Sequence, residues 1–377
     1  MSARAEVVVD LAAIRTSVAR LVEAAPTAAV MAVVKADGYG HGMLPSARAA
    51  LAGGASWLGA AVLEEALELR AAGITVPILS WLASPGEQLE RGVRADIDLS
   101  ASAEWMLEEI AAAARVADRP ARVHLKVDTG LSRAGATVAD WPDLVRTGLR
   151  LQAEGVVQLV GAWSHFARAD APADPTVRGQ VDVFTQALGA AADLGFTPEL
   201  RHLANSAATL ASPEAHFDLV RPGISVYGLS PGPEVGTAEA LGLVPAMTLR
   251  ASAALVKRVP AGSGVSYGHR YITPRETTLA LVPLGYADGV PRVATNTAEV
   301  FVGGRRRRIA GTVCMDQFVL DVEDDPVRVG DDIVLFGPGD RGEPTAQDWA
   351  EALGTINYEI VTRIGPRIPR RYVGDSG

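Results

Sequence analysis

Short apolar runs recur along the first two thirds of the chain, separated by longer stretches of helical periodicity. Eight stand out: AAVMAVV (28–34), SWLGAAV (56–62), VPILSWL (76–82), ADIDLS (95–100), ARVHLKVD (121–128), VQLVGAWSH (157–165), ELRHLAN (199–205) and FDLVRPG (217–223). Runs so short and so apolar predict strands buried on both faces, as in parallel sheets. The segments between them, such as Glu64–Ala72, Ala103–Ala117 and Val177–Leu194, are long enough for the right-handed crossovers that parallel neighbours require. Eight βα repeats over 11–240 predict an α/β fold, a TIM (β/α)8 barrel.

From 241 to 377 the texture changes. LRASAALVKRV, TTLALVPLG, AEVFVGG, RRIAGTVCM and DDIVLFG read as strands separated by Gly- and Pro-rich turns with little helix between them, which predicts a mostly-β C-terminal domain. The opening AEVVVDL is also strand-like, and residues 1–10 are a candidate to join that domain's sheet.

Composition narrows the class of partner. With 377 residues and 48% hydrophobic side chains the chain has ample core, and its net charge of −9 argues against a nucleic-acid or acidic-membrane surface. The basic run Arg305–Arg308 follows Gly303 and Gly304 and reads as a solvated hairpin arm. The lone Cys314 cannot form an intramolecular disulfide. The first residues lack the apolar core of a signal peptide, and no apolar run reaches membrane-spanning length, so the expected location is the cytoplasm. No metal-ligand spacing stands out.

Barrel enzymes collect their chemistry at the C-terminal ends of the strands. Lys35 ends the first run, Asp128 the fifth with Arg133 close behind, His165 the sixth, Asn205 and Ser206 the seventh, and Arg221, Pro222 and Gly223 the eighth. A lysine amine can form a Schiff base with an aldehyde cofactor such as pyridoxal phosphate, and a charged partner at the ring nitrogen tunes it as an electron sink. Lys35 and Arg221 are the candidates, with Ser206 and the amides of Gly223 and Ile224 as phosphate donors. Strand alternation puts His124, Lys126 and Asp128 on one face, so Lys126 needs either an ion pair with Asp128 or a changed charge.

AVVKADGYGHG (32–42) resembles the pyridoxal-phosphate attachment motif of the alanine racemase family. KVDTGLSRAG (126–135), SHFARAD (164–170), HLANSAAT (202–209), RPGISVYG (221–228), GVSYG (264–268), GYADGVPR (285–292), CMDQ (314–317) and NYE (357–359) resemble its further segments, in its order and across both domains. The resemblance implies interconversion of L- and D-alanine with pyridoxal 5'-phosphate, supplying D-alanine for peptidoglycan. It makes Lys35 and Tyr267 the two acid/base groups, on opposite faces of the substrate. Tyr39, His165, Asn205, Ser206, Arg221, Gly223, Ile224 and Tyr358 would join Lys35 around the cofactor. Arg133 and Met315 would contact the substrate, His202, Asp316 and a carbamylated Lys126 would support them, and Asp170, Tyr286, Arg292 and Ile356 would guard the entrance. It further implies a homodimer with shared sites. Thr312 departs from the pattern, standing where many relatives carry arginine. The rival readings are a serine or broad-specificity racemase of the same fold, a barrel-type decarboxylase, and a cofactor-binding protein without turnover.

Overall fold

A computed structural model describes residues 4–374. Two compact units emerge, one comprising residues 14–38 and 43–243, the other residues 4–13, 39–42 and 244–374. The chain opens with β1 (Ala5–Asp10), which belongs to the second unit, and then enters the barrel.

The barrel strands are β2 (Ala29–Val33), β3 (Trp57–Ala60), β4 (Ile78–Ser80), β5 (Asp98–Ala101), β6 (Ala121–Lys126), β7 (Val157–Trp163), β8 (Leu200–His202) and β9 (Leu219–Val220). Each of the eight apolar runs supplies one of them, and neighbours pair in parallel in the order β8-β7-β6-β5-β4-β3-β2-β9. The Asp218 amide donates to Arg201 O (3.0 Å) and the Arg221 amide to Ala204 O (2.9 Å), drawing the two end strands together into a nearly closed barrel. Met31, Trp57, Leu79 and Leu219 pack as one apolar cluster of the buried core. Helices cross between strands over Leu63–Ala71, Glu104–Ala117, Trp141–Ala153 and Pro175–Asp193. The last begins as its sequence dictates: Asp174 accepts from the Thr176 amide (2.9 Å), and Pro175 takes the first helical position, where no N–H is needed.

The second unit is mostly β, with strands β10 (Met247–Ser252), β11 (Leu255–Val259), β12 (Gly264–Val265), β13 (Tyr271–Ile272), β14 (Thr277–Val282), β15 (Glu299–Val302), β16 (Arg305–Arg308), β17 (Phe318–Glu323), β18 (Asp332–Phe336) and β19 (Arg370–Val373). A six-stranded sheet runs β16-β15-β18-β10-β1-β19, and a three-stranded sheet runs β11-β14-β17. In the first, β1 lies antiparallel to β10 and parallel to β19.

Two of the expected strands change shape. LRASAALVKRV breaks into β10 and β11, which lie in different sheets. In RRIAGTVCM the strand ends at Arg308, and beyond a single bridge at Ile309 the chain leaves the ladder, because Gly311 turns at φ 81°. Helices at Ala346–Leu353 and Asn357–Thr362 add structure where the sequence suggested little. The arginine run forms the expected hairpin arm, and its charge is met locally by Asp325, Glu323 and Asp348.

Candidate active site

The lysine loop begins with backbone strain. After Lys35, residues Ala36 (φ 53°, ψ 52°), Asp37 (52°, 48°) and Gly38 (61°, 43°) form a left-handed turn, and Tyr39 follows at φ 53°. Left-handed geometry costs roughly 1–2 kcal/mol for each residue with a Cβ, so neighbouring bonds must hold it. They do: the Gly38 amide donates to Val34 O (2.9 Å), the Ala36 amide to Glu65 Oε1 (2.7 Å) and the Met43 amide to Asp37 Oδ1 (2.8 Å). Glu65 also accepts from the Ala61 amide through its other oxygen (2.9 Å). It carries no motif signal, and sequence reasoning passed over it.

Within the barrel unit, cations gather beside two tryptophans. Lys126 Nζ lies 4.1 Å and the Arg221 guanidinium 4.8 Å from the Trp163 ring centroid, and Lys35 Nζ lies 5.7 Å from that of Trp81. Burial, then the positive charge of Arg133, draws the Lys35 ammonium below the usual lysine range, while Glu65 pulls the other way. Burial, then Arg221 and Arg133, brings Lys126 down to about 7. Burial and Arg221 also keep the His165 ring neutral well below its ordinary range. The alternative reading of Lys126, an ion pair with Asp128, is not met. Asp128 instead turns its Oδ1 to the amides of Gly130, Leu131 and Ser132 (2.9, 3.0 and 3.1 Å) and shapes the loop that carries the exposed Arg133.

Arg221 is buried and donates to Ser164 O (2.7 Å), Leu203 O (3.2 Å) and His202 Nδ1 (3.1 Å), with His165 Nδ1 at 3.4 Å. Burial lowers its pKa to about 9. Asn205 caps the short helix Ser206–Ala211 by accepting from the Ala208 amide (3.1 Å). Ser206 Oγ accepts from the amides of Gly223 (2.8 Å) and Ser225 (3.3 Å), so the Gly223 amide, read as a phosphate donor, is turned to Ser206. Ile224 is buried in the turn that follows, and Asp170 is exposed at the end of the His165 loop.

The second unit holds the remaining candidates. Tyr267 is 76% exposed and Met315 54%, and both line an open depression of roughly 700 Å³ with Ser266, Tyr286 and Asp316. Thr312 Oγ1 donates to Tyr267 O (2.7 Å) and Ser266 Oγ to Thr312 O (2.6 Å), so Thr312 steadies the tyrosine's loop. Cys314 is half-buried against Ser266 Oγ (3.2 Å). Arg367 bridges Asp316 (2.8 Å) and Asp288 (3.5 Å). Tyr358, on the helix Asn357–Thr362, tilts against the buried Tyr39, ring centroids 6.3 Å apart. Arg292 and Ile356 are exposed, as is Tyr286.

A barrel that holds its lysine on a strained loop and gathers Lys35, Lys126 and Arg221 beside two tryptophans, joined in sequence to a β unit that exposes a tyrosine, has the features of an enzyme that handles an anionic small molecule. Models of two halves of one family match the chain, the alanine racemase N-terminal domain over residues 9–231 and the alanine racemase C-terminal domain over residues 246–372. The alanine racemase of Frankia casuarinae is 72% identical over 97% of this chain and 95% of its own. The crystal structure of alanine racemase from D-cycloserine producing Streptomyces lavendulae shares 56% identity at a TM-score of 0.98, covering 99% of this chain and 98% of that one. That of Bacillus anthracis alanine racemase with bound L-Ala-P shares 35% at 0.90, covering 100% and 97%. The chain belongs to the alanine racemase family and is an isomerase.

Proposed function

We propose that this isomerase interconverts L- and D-alanine with pyridoxal 5'-phosphate, using Lys35 and Tyr267 as the two acid/base groups. The observation that carries the reading is the charge of the barrel site. Besides burial, Arg133 lowers Lys35, and Arg221, Arg133 and Lys35 all lower Lys126, while the opposing carboxylates Glu65 and Asp128 are engaged by backbone amides. A donor set with this excess of positive charge fits a phosphate-bearing cofactor and an amino-acid carboxylate.

Lys35, Tyr39, His165, Asn205, Ser206, Arg221, Gly223, Ile224 and Tyr358 are the residues that would hold the cofactor, which when bound supplies an electron sink that acidifies the substrate's Cα proton. Burial and Arg133 shift Lys35 toward the neutral amine, the form that can take a proton at Nζ. Tyr267 Oη serves the opposite face, holding the proton that returns. Racemisation runs in both directions because each group alternates between acid and base. Arg133 and the Met315 amide orient the carboxylate, with Asp316 anchoring the Met315 loop through Arg367. Arg221 can only donate hydrogen bonds, and so supports an unprotonated ring nitrogen. His202 backs it, and Asp170, Tyr286, Arg292 and Ile356 line the way in.

Lys126 at a pKa of about 7 is largely a neutral amine above neutrality. That is the form that attacks CO2, forming an N–C bond, releasing one proton and leaving a carbamate whose negative charge orients Arg133. The exposed Tyr267 and Met315 suit a homodimer in which each β unit completes the partner's site. The role is cytoplasmic supply of D-alanine to peptidoglycan. Among the described residues no helix is long and apolar enough to cross a membrane.

A chiral assay on purified protein given L-alanine and, separately, L-serine tests the reaction. D-alanine forming much faster than D-serine is the expected result; comparable rates indicate a broad-specificity racemase, and neither product overturns the proposal. Borohydride reduction followed by peptide mass mapping is expected to leave the cofactor's mass on Lys35 and nowhere else.

A further inference from the structure

A line of hydrogen-bonded polar groups runs through the barrel interior, where apolar side chains are the rule. It starts at Asp98, on β5, whose Oδ1 accepts from Arg122 Nε (2.8 Å) and whose Oδ2 accepts from Arg122 Nη2 (3.2 Å). Asp98 Oδ2 lies 3.0 Å from His124 Nε2, His124 Nδ1 lies 2.9 Å from His202 Nε2, and His202 Nδ1 lies 3.1 Å from Arg221 Nη1. Asp98, His124, His202 and Arg221 are 1%, 0%, 0% and 5% exposed.

The donor inventory leaves this chain one arrangement. A guanidinium has no acceptor, so His202 must present its Nδ1 lone pair to Arg221 and carry its proton on Nε2. That proton goes to His124 Nδ1, which must then be the acceptor. His124 therefore carries its own proton on Nε2 and gives it to Asp98. A carboxylate clamped by Arg122 is the acceptor that can end the line. The Arg221 guanidinium at one end and the Asp98 carboxylate at the other thus dictate the tautomers of both histidines.

The surroundings are shaped to hold these rings. Trp163 stacks on His202 with centroids 5.6 Å apart and planes within 5°, and Trp57 meets His124 edge-on at 5.8 Å. Gly161 leaves room for His124, since a Cβ there would lie 2.3 Å from Nδ1. Burial works against the Asp98 carboxylate, yet the bonds from His124 and Arg122 hold its pKa below the usual range, and burial with Arg221 keeps His202 neutral.

We propose that Asp98 is a positioning residue for the reaction, acting through His124 and His202 to fix the proton arrangement behind Arg221 and the orientation in which Arg221 meets the cofactor's ring nitrogen. The last clause rests on the function proposed above; the relay itself does not.

Asp98→Asn tests it. An asparagine sets its carbonyl oxygen against Arg122 and turns its NH2 toward His124 Nε2. Both histidines then move their protons to Nδ1, and His202 confronts Arg221 with a donor. Imidazole 15N shifts of the histidine-labelled holoenzyme are expected to show Nε2–H at His124 and His202 in the parent and Nδ1–H in the variant. In the same preparations kcat should fall on the order of tenfold, the scale on which outer partners of a site group act, with KM for alanine changing less than about twofold. Arg122→Gln keeps the carboxylate, so Nε2–H should persist there; reversal in that variant too would assign the effect to packing and overturn the proposal. Nδ1–H on His202 of the parent enzyme overturns it without any variant, and so does an unchanged kcat in Asp98→Asn. Failure of the cofactor mapping on Lys35 would instead strike the functional reading while leaving the tautomer result standing.

Discussion

Lys126 shows what a single residue's surroundings do to its chemistry. Buried and set among positive neighbours, it loses its proton near pH 7, whereas the unfolded chain keeps it to about 10.5. Between those values the folded chain binds fewer protons than the unfolded one, so this group's contribution to stability rises with pH across that window. In CO2-free buffer, urea midpoints should climb from pH 7 to pH 9, by up to about 1.4 kcal/mol per pH unit from this group, and Lys126→Met should remove that part of the climb. A parent and variant with the same pH slope would show that Lys126 keeps an ordinary pKa. The motif around Lys126 was legible in the sequence; its missing partner was not, because strand alternation placed Asp128 on the same face while the loop amides that claim Asp128 belong to the fold.

At the scale of elements, two loops of the second unit work as one. The amides of Tyr286 and Ala287 donate to Cys314 O (3.0 Å) and Met315 O (2.9 Å), and a Cβ on Gly285 would lie 2.3 Å from each of those oxygens. Gly285 is therefore required for close approach; its own φ of −147° would suit any residue. Gly285→Ala is expected to cost about 1–3 kcal/mol in denaturant midpoint, as overpacking against backbone does, and to disturb the Met315 amide. A midpoint unchanged within error would show that the loops have room to part. The eight barrel strands were readable because burial on both faces forces continuous apolar runs. β10 and β11 were not separable, since nothing local in LRASAALVKRV tells which sheet each half will join.

For the whole molecule, the two proposed bases lie in different units, Lys35 in the barrel and Tyr267 in the β unit. If each site is shared across a dimer, mixing a Lys35→Ala chain with a Tyr267→Phe chain should restore up to one intact site per mixed dimer. Activity should then rise well above that of either variant alone. No rescue, with subunit exchange confirmed by native mass spectrometry, would show that both bases come from one chain.

By itself the sequence determined the alternation of buried strand and helix, the place where that alternation stops, and the motifs that put Lys35, His165 and Arg221 at strand ends with Arg133 in the loop behind the fifth run. These are matters of local pattern, carried by neighbours in the chain. Only the tertiary structure decided that Glu65 braces the strained turn after Lys35, that Trp163 underlies Lys126, His202 and Arg221, and that Asp98 reaches Arg221 through two histidines. Each of those relations joins residues far apart in sequence, and the closing of the barrel brings them within bonding distance.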